Sequence, residues 1–162
     1  MEKPVIIREM QKADIPEVLR LMEAIVVFEG DTDFSLTEND LLKRGFGDRP
    51  EFGAIVAQGE KNQLIGIAVH YNIPFMHNHN PSLMLKWLYV DTNHRGKSIG
   101  RKLLSGLAQY AMKHGYKNST GLYSEVMLMP KNSIKALEQT LTINGFAGQL
   151  HQTIWCNCPK NK

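Results

Sequence analysis

The segment from Val90 to Leu104 constrains the fold of this chain more than any other part of the sequence. An apolar run that is typical of a β-strand ends at Val90, a basic turn with Gly96 follows, and an amphipathic helix begins near Ile99. The first N–H groups of such a helix have no partner within it, and the positive end of the helix dipole lies beside them. The order of strand, turn and helix therefore predicts a binding site for a pyrophosphate or a similar anion.

Two other phosphate-binding motifs do not fit this segment. A nucleotide-binding P-loop, G-x-x-x-x-G-K-[ST], needs a glycine five residues before Gly96, but Asp91 occupies that position and would repel the phosphates. A dinucleotide fingerprint needs G-x-G-x-x-G after a first strand, and the sequence has no such set of glycines. The predicted anion site is therefore of another kind.

Residues 95–100 resemble the acetyl-coenzyme A (acetyl-CoA) signature of the GNAT N-acetyltransferase superfamily, Q/R-x-x-G-x-G/A. Arg95 takes the first position and Gly100 the last, whereas Ser98 replaces the middle glycine. This replacement predicts closer crowding at the pyrophosphate or one additional hydrogen bond from the hydroxyl. The resemblance also implies that backbone N–H groups near Tyr89 and Val90 stabilise the oxyanion of the reaction. The cofactor-binding residues that it implies are Leu88, Tyr89, Val90, Arg95, Gly96, Lys97, Ser98, Ile99, Gly100, Arg101 and Asn132.

The order of predicted elements agrees with the GNAT fold over essentially the whole chain. We expect an α/β (α+β) fold with a mixed, mainly antiparallel central sheet flanked by helices, in the order β-α-α-β-β-β-α-β-α-β-β. With 162 residues the chain is long enough for one self-sufficient core, so residues 1–162 are expected to form a single GNAT domain. Asp14 and Thr37 are the predicted N-caps of the first two helices. Strands are predicted at residues 5–7, 52–58, 64–71, 83–91, 121–129 and around 146–158, and helices at 15–28, 38–45, 99–115 and 132–143.

The charges of the chain are unevenly distributed around a net charge of +3. Between Lys86 and Lys117 there are seven Lys or Arg residues and one acid, whereas between Glu29 and Asp40 there are five acids and no Lys or Arg. The basic part suits a polyanionic cofactor, and the acidic loop suits a cation. The competing interpretation of the acidic loop is a solvated face without a ligand.

The first third of the chain is similar to diamine acetyltransferases, which acetylate spermidine and spermine. The likeness rests on Glu29, the acidic loop that follows it, and residues 36–50. It implies a polyamine-like or other small-molecule amine acceptor, whose positive charge Glu29 and Asp31 would attract. Trp87 is a further candidate that would line the acceptor cleft, with packing in the core as the competing interpretation. Diamine acetyltransferases carry adjacent acids on the fourth strand, where this chain has Lys86 and Trp87. An unspecified small primary amine is therefore favoured over spermidine itself.

The residue that would protonate the leaving thiolate is not at the usual place. Family members commonly carry a tyrosine on the helix after the fifth strand, and two ways of counting place Leu141 or Gln139 there. Tyr123 on the preceding strand is the substitute catalytic candidate, with packing in the sheet as the competing interpretation. Three functions stay open: an N-acetyltransferase for a small amine, a catalytically weak CoA-binding or sensing module, and a protein lysine or N-terminal acetyltransferase.

Several other classes of protein are excluded by composition and spacing. No apolar run approaches the about 20 residues of a membrane span, and residues 1–4 begin no secretory signal, so a cytoplasmic protein without membrane contact is expected. Cys156 and Cys158 lack a second pair of ligands, and residues 77–79 (His-Asn-His) lie in a proline-flanked loop, so no metal site is expected. The aromatic residues of the basic part do not form an interleaved stripe, which argues against nucleic acid as a partner. The family resemblance implies a homodimer.

Overall fold

The computed structural model describes residues 4–74 and 82–116 of the chain. Within these ranges the elements follow the predicted order β-α-α-β-β-β-α. They are β1 (Ile6–Glu9), α1 (Ile15–Phe28), α2 (Glu38–Phe46), β2 (Gly53–Gln58), β3 (Leu64–Ile73), β4 (Ser82–Val90) and α3 (Ile99–Lys113). The elements predicted after residue 117 lie outside the described residues.

The four strands form one sheet in the order β1-β2-β3-β4, and each neighbouring pair is antiparallel. Ile7 lies opposite Ala57, and Ile67 lies opposite Tyr89. Strands that are consecutive in sequence are therefore neighbours in the sheet, although α1 and α2 lie between β1 and β2 in the chain. Together with the flanking helices, this sheet confirms the predicted α/β fold class.

Two hydrophobic layers enclose the sheet. Side chains alternate along β2, so that Ala54 and Val56 join the core under α1 and α2, while Ile55 and Ala57 join the core under α3. The predicted buried stripe of α1 is confirmed, since each of its members is at most 3% exposed; it consists of Ile15, Val18, Met22 and Ile25. On the other face α3 comes so close to the sheet that a Cβ on Gly106 would lie 2.7 Å from Ile7 Cγ2.

The start of α1 differs from the prediction in one respect. Asp14 occupies the N-cap position, but its side chain makes no capping hydrogen bond. Its carboxylate instead accepts hydrogen bonds from Arg8 Nη1 at 2.6 Å, Arg8 Nη2 at 2.8 Å and the Gln11 N–H at 2.7 Å. The prediction of a side-chain cap at Asp14 was wrong because a two-pronged arginine on β1 is the stronger partner.

Helix α2 begins as the sequence predicts. The Asp40 N–H donates to Thr37 Oγ1 at 3.2 Å, and the Thr37 N–H donates to Asp40 Oδ2 at 3.0 Å, which forms a reciprocal capping box. The helix continues past Gly45, where it was expected to end, and stops at Phe46 before Gly47. Gly45 is buried, and a Cβ there would lie 3.0 Å from Met10 and 3.1 Å from Phe52. Close packing, rather than helix termination, therefore favours glycine at this position.

Because Arg8 and Asp14 form an ion pair, we expect the stability of the protein to depend on pH. The hydrogen bonds from Arg8 hold the pKa of Asp14 below its usual range, so the pair is fully formed above about pH 4 and is lost as the pH falls through the lowered pKa. Asp14→Ala should lower the free energy of unfolding by about 1–3 kcal/mol at pH 7, and the difference should shrink below about pH 4. Urea unfolding at pH 7 and pH 3 measures both values.

The matched control is Glu23→Ala, which removes an exposed carboxylate from α1. This variant should change the free energy of unfolding by no more than about 0.5 kcal/mol at either pH. An Asp14→Ala difference that is as large at pH 3 as at pH 7 would contradict the assigned role of the ion pair.

Candidate functional site

The turn between β4 and α3 has the backbone geometry of an anion site. A short 3₁₀ turn, Thr92–His94, follows β4, and the Asp91 carboxylate accepts a hydrogen bond from the Asn93 N–H at 3.3 Å. Gly96 then adopts φ +80° and Ser98 adopts φ +58°, so two left-handed residues redirect the chain into α3. These reversals bring successive N–H groups to the start of the helix.

Ser98 shows why the family signature has a glycine in the middle. A left-handed backbone is a conformation that side chains other than glycine rarely adopt, because the Cβ atom crowds the neighbouring carbonyl. The Ser98 side chain makes no capping hydrogen bond to α3. The left-handed backbone angle alone favours glycine at this position of the signature. Neither crowding of a ligand nor a hydrogen bond from the hydroxyl is needed to explain that preference. The sequence alone does not reveal this reason, because it shows the side chain and not the backbone angle.

The first N–H groups of α3 have no acceptor within their own helix. The Lys102 N–H donates to the Ser98 carbonyl at 3.1 Å, so the N–H groups of residues 99–101 precede the first bond of the helical ladder. The first turn contains no acidic residue. Lys97, Arg101 and Lys102 are exposed around it and contribute positive charge. The predicted cofactor residues from Arg95 to Arg101 therefore lie together at one helix end.

The end of β4 presents backbone groups at the edge that faces away from β3. The Asp91 N–H donates to the Ile65 carbonyl at 3.0 Å, and alternate residues of a strand direct their N–H groups to the same side. The Tyr89 N–H therefore points toward β3, whereas the Val90 N–H points toward the opposite edge. The Val90 carbonyl accepts a hydrogen bond from Arg95 Nε at 3.0 Å on that side. Of the two predicted oxyanion donors, Val90 is the one directed away from the neighbouring strand.

A β-bulge interrupts β4 three residues before Tyr89. Trp87 lies opposite Val69, Leu85 lies opposite His70, and the register skips Lys86. The Trp87 side chain packs against the core under α1 and α2, and its buried Nε1 has no hydrogen-bond partner among the described residues. The Lys86 Nζ lies 5.4 Å from the centre of the Trp87 ring. Bulges are frequent beside active sites because they redirect side chains, and this one lies where the acceptor residue Trp87 was predicted.

The acidic loop after α1 lies over the same face of the sheet as Trp87. Phe34, in the middle of this loop, packs against the core cluster that Trp87 also contacts. Glu29 and Asp31 are both exposed. The Asp31 carboxylate accepts hydrogen bonds from the Thr32 N–H at 2.7 Å and the Asp33 N–H at 3.1 Å, which fixes the start of the loop. The three predicted acceptor residues therefore belong to one face of the molecule.

Arg20 on α1 contacts the first residue of β3 and the residue that follows the end of β4. Arg20 Nη2 donates to the Leu64 carbonyl at 2.7 Å, and the Leu64 N–H donates to Glu17 Oε2 at 3.1 Å. Arg20 also pairs with Glu17 at 3.0 Å and with Asp91 at 3.7 Å. The hydrogen bond from Arg20 lowers the pKa of Glu17, so Glu17 is ionised at neutral pH. No local sequence pattern indicates this cluster, because Arg20 and Leu64 are 44 residues apart in the chain.

His70 is a buried titratable residue that lies on the other face of the sheet. It is 4% exposed, and burial lowers its pKa to about 4. Its ring centre lies 4.7 Å from that of Tyr110 on α3. This neutral imidazole is therefore part of the core under α3, and the face that holds Trp87 is on the opposite side.

The remaining predicted site residues lie outside the described residues. These are the catalytic candidate Tyr123, the cofactor residue Asn132 and the alternative acid positions Gln139 and Leu141, together with residues 77–79, Cys156 and Cys158. Residues 4–74 and 82–116 contain no helix that is long and apolar enough to cross a membrane. The same two ranges contain no group of three His, Cys, Asp or Glu side chains that could hold a metal ion.

Comparison with known proteins matches this chain to an acetyltransferase family and to individual acetyltransferases. A model of the acetyltransferase (GNAT) family matches residues 18–132. The human spermidine/spermine N(1)-acetyltransferase-like protein 1 is 33% identical over 115 residues, which cover 65% of this chain and 16% of that protein. The pig thialysine N-epsilon-acetyltransferase is 29% identical over 119 residues, which cover 68% of this chain and 69% of that protein.

The fold is also similar to solved structures. A metagenomic aminoglycoside acetyltransferase from an uncultured soil sample, crystallised with sisomicin, superposes with a TM-score of 0.68 and 20% sequence identity. The superposition covers 98% of this chain and 97% of that one. At this level of identity the likeness shows a shared fold and leaves the substrate open.

The left-handed angle at Ser98 predicts a stabilising substitution. Ser98→Gly should raise the free energy of unfolding by about 1 kcal/mol, because glycine has no Cβ to crowd the backbone. Ser98→Ala retains the Cβ and should change the free energy little. The control Ser105→Gly, inside α3, should lower the free energy by about 0.5 kcal/mol. Urea unfolding compares the three variants, and a Ser98→Gly variant that is destabilised like Ser105→Gly would contradict the assignment.

Proposed function

The chain belongs to the acetyltransferase (GNAT) family, and from this premise we propose that it transfers an acetyl group from acetyl-CoA to a primary amine of a small molecule. The amine attacks directly, in a ternary complex with the cofactor. The observation that carries the proposal is the N-terminus of α3, preceded by two left-handed residues and surrounded by basic side chains. This arrangement fits the pyrophosphate of a coenzyme A group.

The cofactor-binding role falls to the turn and the first residues of α3. The N–H groups of residues 99–101 would bind the pyrophosphate oxygens, and Lys97, Arg101 and Lys102 would add charge attraction. When bound, acetyl-CoA supplies an acetyl thioester that an amine can attack. The N–H of Val90, at the edge of β4 that faces away from β3, would stabilise the negative charge that develops on the carbonyl oxygen. A donor in this role contributes about 3 kcal/mol to transition-state stabilisation.

The acceptor amine has to lose its proton before it can attack. An amine with a pKa of about 10.4 is neutral in roughly one molecule per thousand at pH 7, which is a handicap of about 4 kcal/mol. Glu29 and Asp31 would attract the ammonium form to the acidic loop, and Trp87 would line the acceptor cleft. Tyr123 stays the candidate for protonating the thiolate.

The acceptor class follows from the charges beside the bulge. A polycation would be repelled by Lys86, which stands where diamine acetyltransferases carry an acid, and attracted by the acidic loop. An unspecified small primary amine is therefore favoured as the acceptor over the polycation spermidine. The names of the two relatives, which refer to spermidine/spermine and to thialysine, support a small amine acceptor. A single domain, a cytoplasmic location and a homodimer stay predictions from the sequence.

Calorimetric titration with acetyl-CoA, followed by a thiol-release assay on the same sample, tests the proposal. The acceptor panel contains thialysine, spermidine, an aminoglycoside and a lysine-containing peptide. Micromolar binding and thiol release that is fastest with a small amine would support the proposed function. Binding without release would support a CoA-binding module instead, release with the peptide alone would support a protein acetyltransferase, and absence of binding would contradict the cofactor site.

We expect a bulky substitution at Gly100, in the first turn of α3, to weaken the binding of acetyl-CoA. Gly100→Leu places a large side chain beside the N–H groups that would hold the pyrophosphate, and leucine retains the helix. We expect at least a tenfold loss of acetyl-CoA affinity in calorimetry. Gln109→Leu, an exposed substitution on the same helix, should bind acetyl-CoA like the wild type. Equal affinities of the wild type and Gly100→Leu would contradict the proposed site.

A further inference from the structure

Arg95 connects the cofactor turn to the last residue of α1. Its guanidinium carbon lies 5.0 Å from the centre of the Phe28 ring and 5.6 Å from the centre of the Tyr89 ring. Its Nε donates to the Val90 carbonyl at 3.0 Å. Both ring distances are within the range of a cation–π interaction. Arg95 is therefore held by three groups of the protein, one of which belongs to α1.

Phe28 is an aromatic residue with an unusual position. It is 42% exposed at the C-terminus of α1, although burying its ring would be favourable. Tyr89, by contrast, is 8% exposed and belongs to the core. Contact with the guanidinium gives the exposed Phe28 ring a role that neither helix capping nor core packing explains. Its neighbour Val27 is 65% exposed and belongs to neither core cluster.

The acidic loop begins immediately after Phe28 and is tied to the same helical turn. The Glu29 N–H donates to the Ile25 carbonyl at 2.9 Å, and the Gly30 N–H donates to the Val27 carbonyl at 3.1 Å. The Asp31 N–H reaches back to a carbonyl of this turn, that of Val26, at 3.1 Å. The start of the acidic loop is therefore hydrogen-bonded to the helical turn that ends in Phe28.

We propose that Phe28 is a positioning residue that holds Arg95, so that the cofactor turn and the acidic acceptor loop are fixed as one unit. Binding of acetyl-CoA at the turn then orders the acceptor loop through Arg95 and Phe28. By thermodynamic reciprocity, an amine that orders the loop strengthens the binding of the cofactor. This inference rests on the proposed function, because it places acetyl-CoA at the turn that carries Arg95 and the amine at the acidic loop that follows Phe28.

The first test is a double-mutant cycle with calorimetric titration of acetyl-CoA. Phe28→Leu should weaken binding by about two- to fivefold, the range expected for one exposed cation–π contact. Phe28→Trp keeps an aromatic face and should bind like the wild type, and so should the control Val27→Leu. In an Arg95→Gln background, Phe28→Leu should have no further effect. Equal weakening in both backgrounds would overturn the link.

The second test is hydrogen exchange of residues 29–34 with and without CoA, which needs no acceptor. In the wild type and in Phe28→Trp, CoA should slow the exchange of these amides, whereas in Phe28→Leu it should leave their exchange unchanged. Protection that is equal in the wild type and in Phe28→Leu, or absent from a wild type that binds CoA, would overturn the inference alone. A wild type that does not bind CoA would overturn the proposed function and the inference with it.

Discussion

The geometry of the site depends on the way α1 fixes the ends of two strands. Glu17 and Arg20 bind the N–H and the carbonyl of Leu64, where β3 begins, and Arg20 also reaches Asp91, where β4 has just ended. Charged partners make these bonds stronger than ordinary ones. Because the cofactor turn starts at Asp91, its position relative to the sheet is set by a helix that precedes it by about seventy residues in sequence.

The basic and the acidic residues of the site lie on different sides of β4. The basic turn and the N-terminus of α3 form the anion side, while the acidic loop after α1 lies over the face that holds Trp87. The bulge at Lys86 changes the direction of β4 between these regions. The arrangement allows a polyanionic cofactor and a cationic amine to approach the end of one strand without competing for the same charges.

Features that depend on local sequence were predictable, and features that depend on distant partners were not. The stripe of α1, the N-cap at Thr37 and the strand, turn and helix around Gly96 are each encoded within a few residues. The contact of Arg20 with Leu64 joins residues 44 positions apart, and the bulge at Lys86 exists only in the register of two paired strands. Ser98 was identified as a replaced glycine, but its left-handed backbone became evident only in three dimensions.

A crystal structure of the protein with CoA is the most informative experiment, because it locates the pyrophosphate. We expect the pyrophosphate oxygens to lie within hydrogen-bond distance of the backbone N–H groups of residues 99–101. We also expect the sulfur end to lie beside the Val90 N–H at the edge of β4. A pyrophosphate bound elsewhere on the protein, away from these N–H groups, would contradict the proposed cofactor site.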